Sequence, residues 1–283
     1  MIISVNTIQK VLKYIPTSVY YGIANVLYFV GFRLSGYRKA VVRKNIRQAF
    51  PEKSEKECLK IEQQFFHHLC DYIVETALLS KMDAQELSRR ITFNNADLLN
   101  DYYDQGKNVV LTTGHQANWE WMALMPKLLK FKSSAVYRQQ SADVSDQIIL
   151  QNRSKFGFNM IKDKELIAYL KNQPADSLEL IYMLCDQRPQ PTKRPKVLKF
   201  MHQPTAVFQG LDFIARKFDY EVVYAQLEKT SRGHYEVTFR PLDPQEGETP
   251  VECFFQKLED SIRHQPFTYL WSHNRWKNPP VVE

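Results

Sequence analysis

Hydrophobic positions along this chain follow two rhythms. Over residues 54–79 they recur every three or four positions, at Cys58, Ile61, Phe65, Leu69 and Tyr72, with Thr76 closing the stripe. That spacing places them on one face of a helix, and Ser54 with Glu57 has the spacing of a capping box at its start. Elsewhere the apolar residues form short continuous runs that read as buried strands, 107–113 (KNVVLTT) and 178–185 (LELIYMLC), and 133–137 reads as a further strand. Further strands are expected at 221–228 and 235–242. Helices are expected from the segment GHQANWEW through Leu129, and at 143–156, 206–218 and 251–264; residues 88–104 read as helical or mixed. Strands alternating with helices predict an α/β fold whose central sheet is mostly parallel and flanked by helices.

The N-terminal pattern differs. Residues 19–34 (VYYGIANVLYFVGFRL) are almost uniformly apolar and aromatic. As a helix rising about 1.5 Å per residue they would span roughly 24 Å, short of the ~30 Å hydrocarbon core. Gly22, Asn25, Gly31 and Arg33 weaken a membrane span further, and no small-residue cleavage site marks a signal peptide. Arg33, Arg38, Lys39, Arg43, Lys44 and Arg47 follow with no acidic residue among them. Such a cluster is drawn to anionic lipid at about 1 kcal/mol per charge. An interfacial, monotopic anchor is the expectation; a marginal single span and a core helix followed by a solvated basic face are the alternatives. The chain accordingly divides into a membrane-associating N-terminal region, 1–50, and an α/β domain, 51–283.

Composition narrows the classes. The 283 residues are 44% hydrophobic and 24% charged, ample for a core and unlike disordered, collagenous or disulfide-scaffold chains. Lys and Arg number 38 against 31 Asp and Glu, a net +7 that favours acidic partners: a membrane surface, an acidic carrier protein or nucleic acid. The basic run adjoins an apolar helix instead of interleaving with aromatics, which argues against nucleic acid. Cys58, Cys70, Cys185 and Cys253 are scattered without a CxxC pair and read as small buried thiols in a reducing compartment. No HxxxH or HExxH spacing occurs, so no metal is expected; without GxGxxG, a Walker loop or a GxSxG elbow, no cofactor is expected either.

The candidate chemistry lies in Gly114-His115-Gln116-Ala117-Asn118-Trp119-Glu120, just past the carboxyl end of an expected central strand. Open α/β sheets place ligands there. A five-residue offset turns about 500° on an ideal helix. His115 therefore belongs to the loop and Glu120 to the first turns after it, where a carboxylate near the imidazole could fix its tautomer and raise its basicity. The alternative is a histidine capping a strand end and a glutamate favoured by a helix N-terminus.

TGHQANWE resembles the HX4(D/E) motif of glycerolipid acyltransferases, in the GHxxNWE form of the bacterial lipid A late acyltransferase family. Further segments match that family in order: RKNIRQAFP at 43–51, Tyr137-Arg138, Asn152-Arg153 with Gly157, Asp186-Gln187, and the closing Pro266, Tyr269-Leu270-Trp271 and Arg275-Trp276-Lys277. The resemblance spans about residues 8 to 278. It departs at Phe200-Met201-His202, where the family usually has Phe-Phe-Gly.

The resemblance implies an acyltransferase of lipid A, hence lipopolysaccharide, biosynthesis, acting at the cytoplasmic face of the inner membrane as a peripheral or monotopic protein. His115 would be the general base and Glu120 its orienting carboxylate. Arg153 would stabilise the oxyanion, with Arg138 second in line. Asn118, Trp119, Arg138, Asp186 and Gln187 would contact substrate, Asp186 in a structural or acceptor-positioning role. The implied donor is acyl carrier protein, or acyl-CoA, and the acceptor a hydroxyl or amine of a membrane lipid, a lipid A precursor first. Other lipid or pigment acceptors, and a non-catalytic membrane-surface binding protein on the same scaffold, are the competing readings.

Overall fold

The protein is described from a computed structural model covering residues 14–138, 144–174, 176–190 and 195–277. Helix α1 (Thr17–Leu27) runs into a π-helical segment (Tyr28–Leu34), followed by α2 (Lys39–Ala49), the long α3 (Glu55–Leu79) and the short α4 (Ala84–Ser88). Next come β1 (Ile91–Asn94), α5 (Asp97–Asp104), β2 (Asn108–Thr113), a 3-10 helix (Trp119–Lys127), β3 (Lys132–Tyr137) and α6 (Val144–Ser154). Then follow β4 (Asn159–Lys162), α7 (Leu166–Lys171), β5 (Glu179–Leu184), β6 (Lys196–Phe200) and β7 (Gln203–Val207). The last elements are α8 (Gly210–Phe218), β8 (Tyr220–Ser231), β9 (His234–Pro241), α9 (Pro250–His264) and a short 3-10 turn (Pro266–Thr268).

Seven strands form one sheet in the order β1-β9-β8-β2-β5-β3-β4, every neighbouring pair parallel except the β8–β9 hairpin. The fold is thus α/β with a mostly parallel sheet flanked by helices. Side-chain alternation explains the continuous apolar runs. Val110 of β2 and Ile181 of β5 enter the core beneath α2, α8 and α9, while Val109, Leu111 and Leu180 enter the core on the opposite face. A strand covered on both faces has no polar side to show.

Helix α3 serves both layers: Cys58, Ile61, Phe65 and Phe66 belong to the first core, Cys70, Val74, Leu78 and Leu79 to the second. Its capping box is formed as expected, with the Ser54 side chain accepting from the Glu57 amide and Glu57 Oε2 accepting from the Ser54 amide at 2.9 Å. The sequence before residue 50 packs into the same cores, Tyr20 and Ala24 in one and Phe32, Val42, Ile46, Ala49 and Phe50 in the other. Several side chains of the basic run are engaged by the protein itself. Arg43 makes a paired contact with Glu62 at 2.8 and 2.9 Å, Arg47 pairs with Glu55, and Arg38 donates to the Ser272 carbonyl at 2.9 Å.

The outer side of α1 and the π-helical segment exposes Val19, Ile23, Val26, Leu27, Phe29, Val30 and Leu34. No helix among the described residues is long and apolar enough to cross a membrane.

Candidate active site

Strands β2 and β5 lie side by side and parallel, with Thr113 opposite Leu184. Two residues beyond each, at the carboxyl edge of the sheet, stand His115 and Asp186. The turn after β2 needs a glycine. A Cβ on Gly114 would lie 2.6 Å from Cδ1 of Leu258, which is fully buried on α9. Ala117 then adopts a left-handed φ of 53°. Its amide donates to the Thr268 carbonyl at 3.0 Å, and its carbonyl lies 3.2 Å from Nε2 of His68. Burial, with Lys229 nearby, pushes His68 down to about 3, so its ring is neutral and Nε2–H is the donor. The Leu270 amide fastens the His115 carbonyl at 2.9 Å.

The carboxylate behind His115 is Asp186 and not, as the sequence suggested, Glu120. His115 Nδ1 donates to Asp186 Oδ1 at 2.6 Å. With the proton on Nδ1 the lone pair is on Nε2, which accepts from the Gln187 side-chain amide at 3.0 Å. Asp186 is 2% exposed. Burial by itself would raise its pKa, but the imidazole and its hydrogen bond hold it below the usual carboxylate range. The buried Tyr269 hydroxyl hydrogen-bonds to the same carboxylate.

Glu120 is occupied elsewhere. Arg153 of α6 grips it with Nε to Oε2 at 2.8 Å and Nη2 to Oε1 at 2.6 Å. The Tyr72 hydroxyl and the Trp119 indole N–H also donate to Oε1, at 3.2 and 3.0 Å. Burial would raise the Glu120 pKa; the guanidinium and these donors hold it low. Burial would correspondingly lower Arg153, and Glu120 raises it instead. Trp119 packs beside both pairs, its ring 5.0 Å from that of His115 and 4.3 Å from that of Tyr72.

Both pairs border a cleft of about 420 Å³. His115, Trp119, Glu120, Arg153 and Gln187 line its polar part, Val136, Ile149, Leu150, Leu166 and Met183 its apolar part, and Arg138 and Arg188 are also among its walls. Arg138 is tied to Asp163 at 2.6 Å. Cys185 touches the cleft, but burial pushes its thiol up to about 12, which rules it out as a ready thiolate.

Two residues expected to contact substrate do not line the cleft. Asp186 is buried behind His115, and Asn118 is fully buried with its Nδ2 on Glu75 at 2.7 Å. The sequence reading missed Tyr72 and Glu75 as site residues because it treated the α3 stripe as packing alone. Tyr72 lies on that stripe; the signal available for Glu75 was the polar set His68, Asp71 and Glu75, three and four positions apart beside it. Among the described residues no cluster of His, Cys, Asp and Glu could hold a metal ion.

A family model described as bacterial lipid A biosynthesis acyltransferase matches residues 2–278, essentially the whole chain. No curated protein matches the sequence.

Proposed function

This chain belongs to the bacterial lipid A biosynthesis acyltransferase family, and from that premise we propose that it moves a fatty acyl chain from an acyl carrier protein thioester to a hydroxyl of a lipid A precursor. The observation that carries this reading is the His115 imidazole, with Asp186 behind Nδ1 and the Nε2 lone pair directed at Gln187, a neighbour in the cleft wall.

The acceptor hydroxyl replaces the Gln187 amide at Nε2 and attacks the thioester carbonyl carbon as its proton passes to Nε2. Asp186 stabilises the imidazolium, as carboxylates do in other base–carboxylate pairs. The carbonyl oxygen becomes an oxyanion. The amides of Gln116 and Ala117 are already engaged, by the Gly114 and Thr268 carbonyls. Arg153 is the better donor: Glu120 holds two of its nitrogens, leaving Nη1 to act. A donor fixed before reaction spares reorganisation, and removing one costs about 2.7–4 kcal/mol. Collapse breaks the C–S bond, and the departing thiolate takes the proton from Nε2. The products are an ester and a free thiol, and no covalent acyl-enzyme forms.

The apolar wall suits the acyl chain, each buried CH₂ contributing about 0.8 kcal/mol. The net charge of +7 suits an acidic carrier. The exposed apolar side of α1 supports a peripheral position on a membrane surface, and the family supplies the reading that this is the cytoplasmic face of the inner membrane.

Purified protein incubated with acyl carrier thioesters or acyl-CoA and candidate glycolipids, then analysed by mass spectrometry, tests the reading. The expected product is acceptor plus one acyl group, formed by wild type and absent with His115→Ala. Equal product from His115→Ala removes the base from the mechanism; no acylated lipid from wild type with any donor and acceptor overturns the function.

A further inference from the structure

Helix α3 faces the catalytic loop over successive turns. His68 meets the Ala117 carbonyl, Tyr72 meets Glu120, Glu75 meets Asn118, and the Thr76 carbonyl accepts from Asn152, the residue before Arg153, at 2.8 Å. Glu75 is the unusual member. Its side chain is wholly buried, and the groups that hydrogen-bond to its carboxylate are neutral: the Tyr235 hydroxyl at 2.7 Å, Asn118 Nδ2 at 2.7 Å and the Tyr21 hydroxyl at 3.1 Å. Burying a carboxylate away from a directly bonded cation is costly, and an apolar residue would serve helix packing better. A carboxylate ringed by donors fixes their geometry instead.

Residue 75 meets the start of the 3-10 helix twice, with its carboxylate at Asn118 and with its backbone carbonyl at Trp121, and only the first contact depends on the side chain. Asn118 stands at the cap position, yet its side chain makes no cap, and its Oδ1 is buried without a partner. That amide is committed to Glu75. Trp121 sends its indole N–H to the Glu75 carbonyl at 3.3 Å. Between His115 and these anchors lies Ala117 in its left-handed conformation, which persists only where surrounding contacts over-determine it.

We propose that Glu75 is a positioning residue for acyl transfer: by holding Asn118 its carboxylate sets the strained turn that places His115 against Asp186 and Glu120 against Arg153. The proposal rests on the acyl-transfer reading of this site. Through Tyr21 the same carboxylate ties α1 to the loop.

Glu75→Gln keeps the shape but leaves one acceptor oxygen where the carboxylate has two, so its amide N–H competes for the place facing Asn118 and Tyr235. The expected result is a loss of turnover of about 10²-fold, the size of effect a misplacement near 1 Å produces. Donor KM should stay within about two-fold, because the cleft walls are untouched. Adding Asn118→Asp reverses donor and acceptor across the contact and should restore much of the lost turnover, which a general packing role would not do. Turnover near wild type in Glu75→Gln overturns the proposal, as does a double variant no faster than the single one. If Glu75→Gln fails to fold, Asn118→Ala decides, since it leaves Glu75 its two tyrosines: retained turnover overturns the proposal and lost turnover supports it. Diethyl pyrocarbonate labelling of His115, located by peptide mass spectrometry, separates the two failures. If wild type transfers no acyl group, the functional reading fails, and the rate of His115 labelling in Glu75→Gln still judges positioning: a changed rate supports it and an unchanged rate overturns it.

Discussion

At His115 the chemistry depends on which carboxylate stands behind Nδ1. Because that group is Asp186, Asp186→Asn should be nearly as damaging as loss of the base, about 10²–10⁴-fold in turnover, since an amide can stabilise the wrong tautomer. Glu120 acts through Arg153. Glu120→Gln, Arg153→Ala and the double variant should therefore all be slow, and the double variant little worse than either single one. Steady-state kinetics of the cycle, with KM separated from turnover, checks both statements. Additive losses at 120 and 153 would dissolve the pair. Acid titration provides an independent measure. Asp186 and Glu120 are both depressed in the folded state, so between the folded and unfolded pKa values the unfolded chain binds more protons. Their contribution to stability is complete above the unfolded carboxylate values, about 4, and is lost as pH falls through the folded ones. Melting curves across that range should show Asp186→Asn declining less steeply with acid than wild type.

At the scale of elements, two turns make opposite demands on backbone and side chain. Gly114 closes β2 against buried Leu258, so Gly114→Ala must displace either α9 or the loop carrying His115. It should lower turnover and cost about 1–3 kcal/mol, the range for overpacking, readable by denaturant unfolding. The β6–β7 hairpin turns on Met201 and His202, both with positive φ, at 48° and 63°. Two-residue hairpin loops of this kind favour Asn-Gly, and His202 stands where the family pattern has glycine. His202→Gly should raise the melting temperature, relieving a left-handed conformation that costs a non-glycine residue about 1–2 kcal/mol, less the freedom glycine gains when unfolded. The same elements mark how far the sequence could be read. Long, periodic α3 and the continuous apolar runs of β2 and β5 were legible because many residues repeat one signal. Strands β1 and β4, with four residues each, carry too few positions for a rhythm. Ala206 and Val207 read as the start of a helix but pair with β6, a long-range choice that local spacing does not encode. In the site, His115 and Arg153 were recognisable from motif order. The exchange of carboxylates was not, because Asp186 reaches His115 through the register of two strands far apart in sequence.

Over the whole molecule, the open question is what covers α1. Tyr20, Ala24 and Phe32 fill the core, so removing residues 1–34 would strip the interior as well as the surface. The outward side carries Val19, Ile23, Val26, Val30 and Leu34 at helical spacing, with Val26 61% and Leu34 69% exposed. A contiguous apolar face of that kind marks an interaction surface, and for a chain acting on a lipid the expected cover is the bilayer interface. The charges should contribute less than their number suggests. Arg43 and Arg47 spend their guanidinium groups on Glu62 and Glu55, and Arg38 is held by a carbonyl. Fully burying a valine or phenylalanine contributes about 1.5–3 kcal/mol. A lysine near anionic lipid contributes about 1 kcal/mol, and salt screens it. Apolar contact should therefore dominate. Val26→Asp with Phe29→Asp should abolish flotation with vesicles while the melting temperature stays near wild type, since both side chains are exposed. Lys39→Gln with Lys44→Gln should weaken flotation modestly, and added salt should reduce wild-type binding without removing it. Should salt alone release the protein, with the aspartate pair still bound, the paired arginines must open toward lipid and the apolar face must serve another partner.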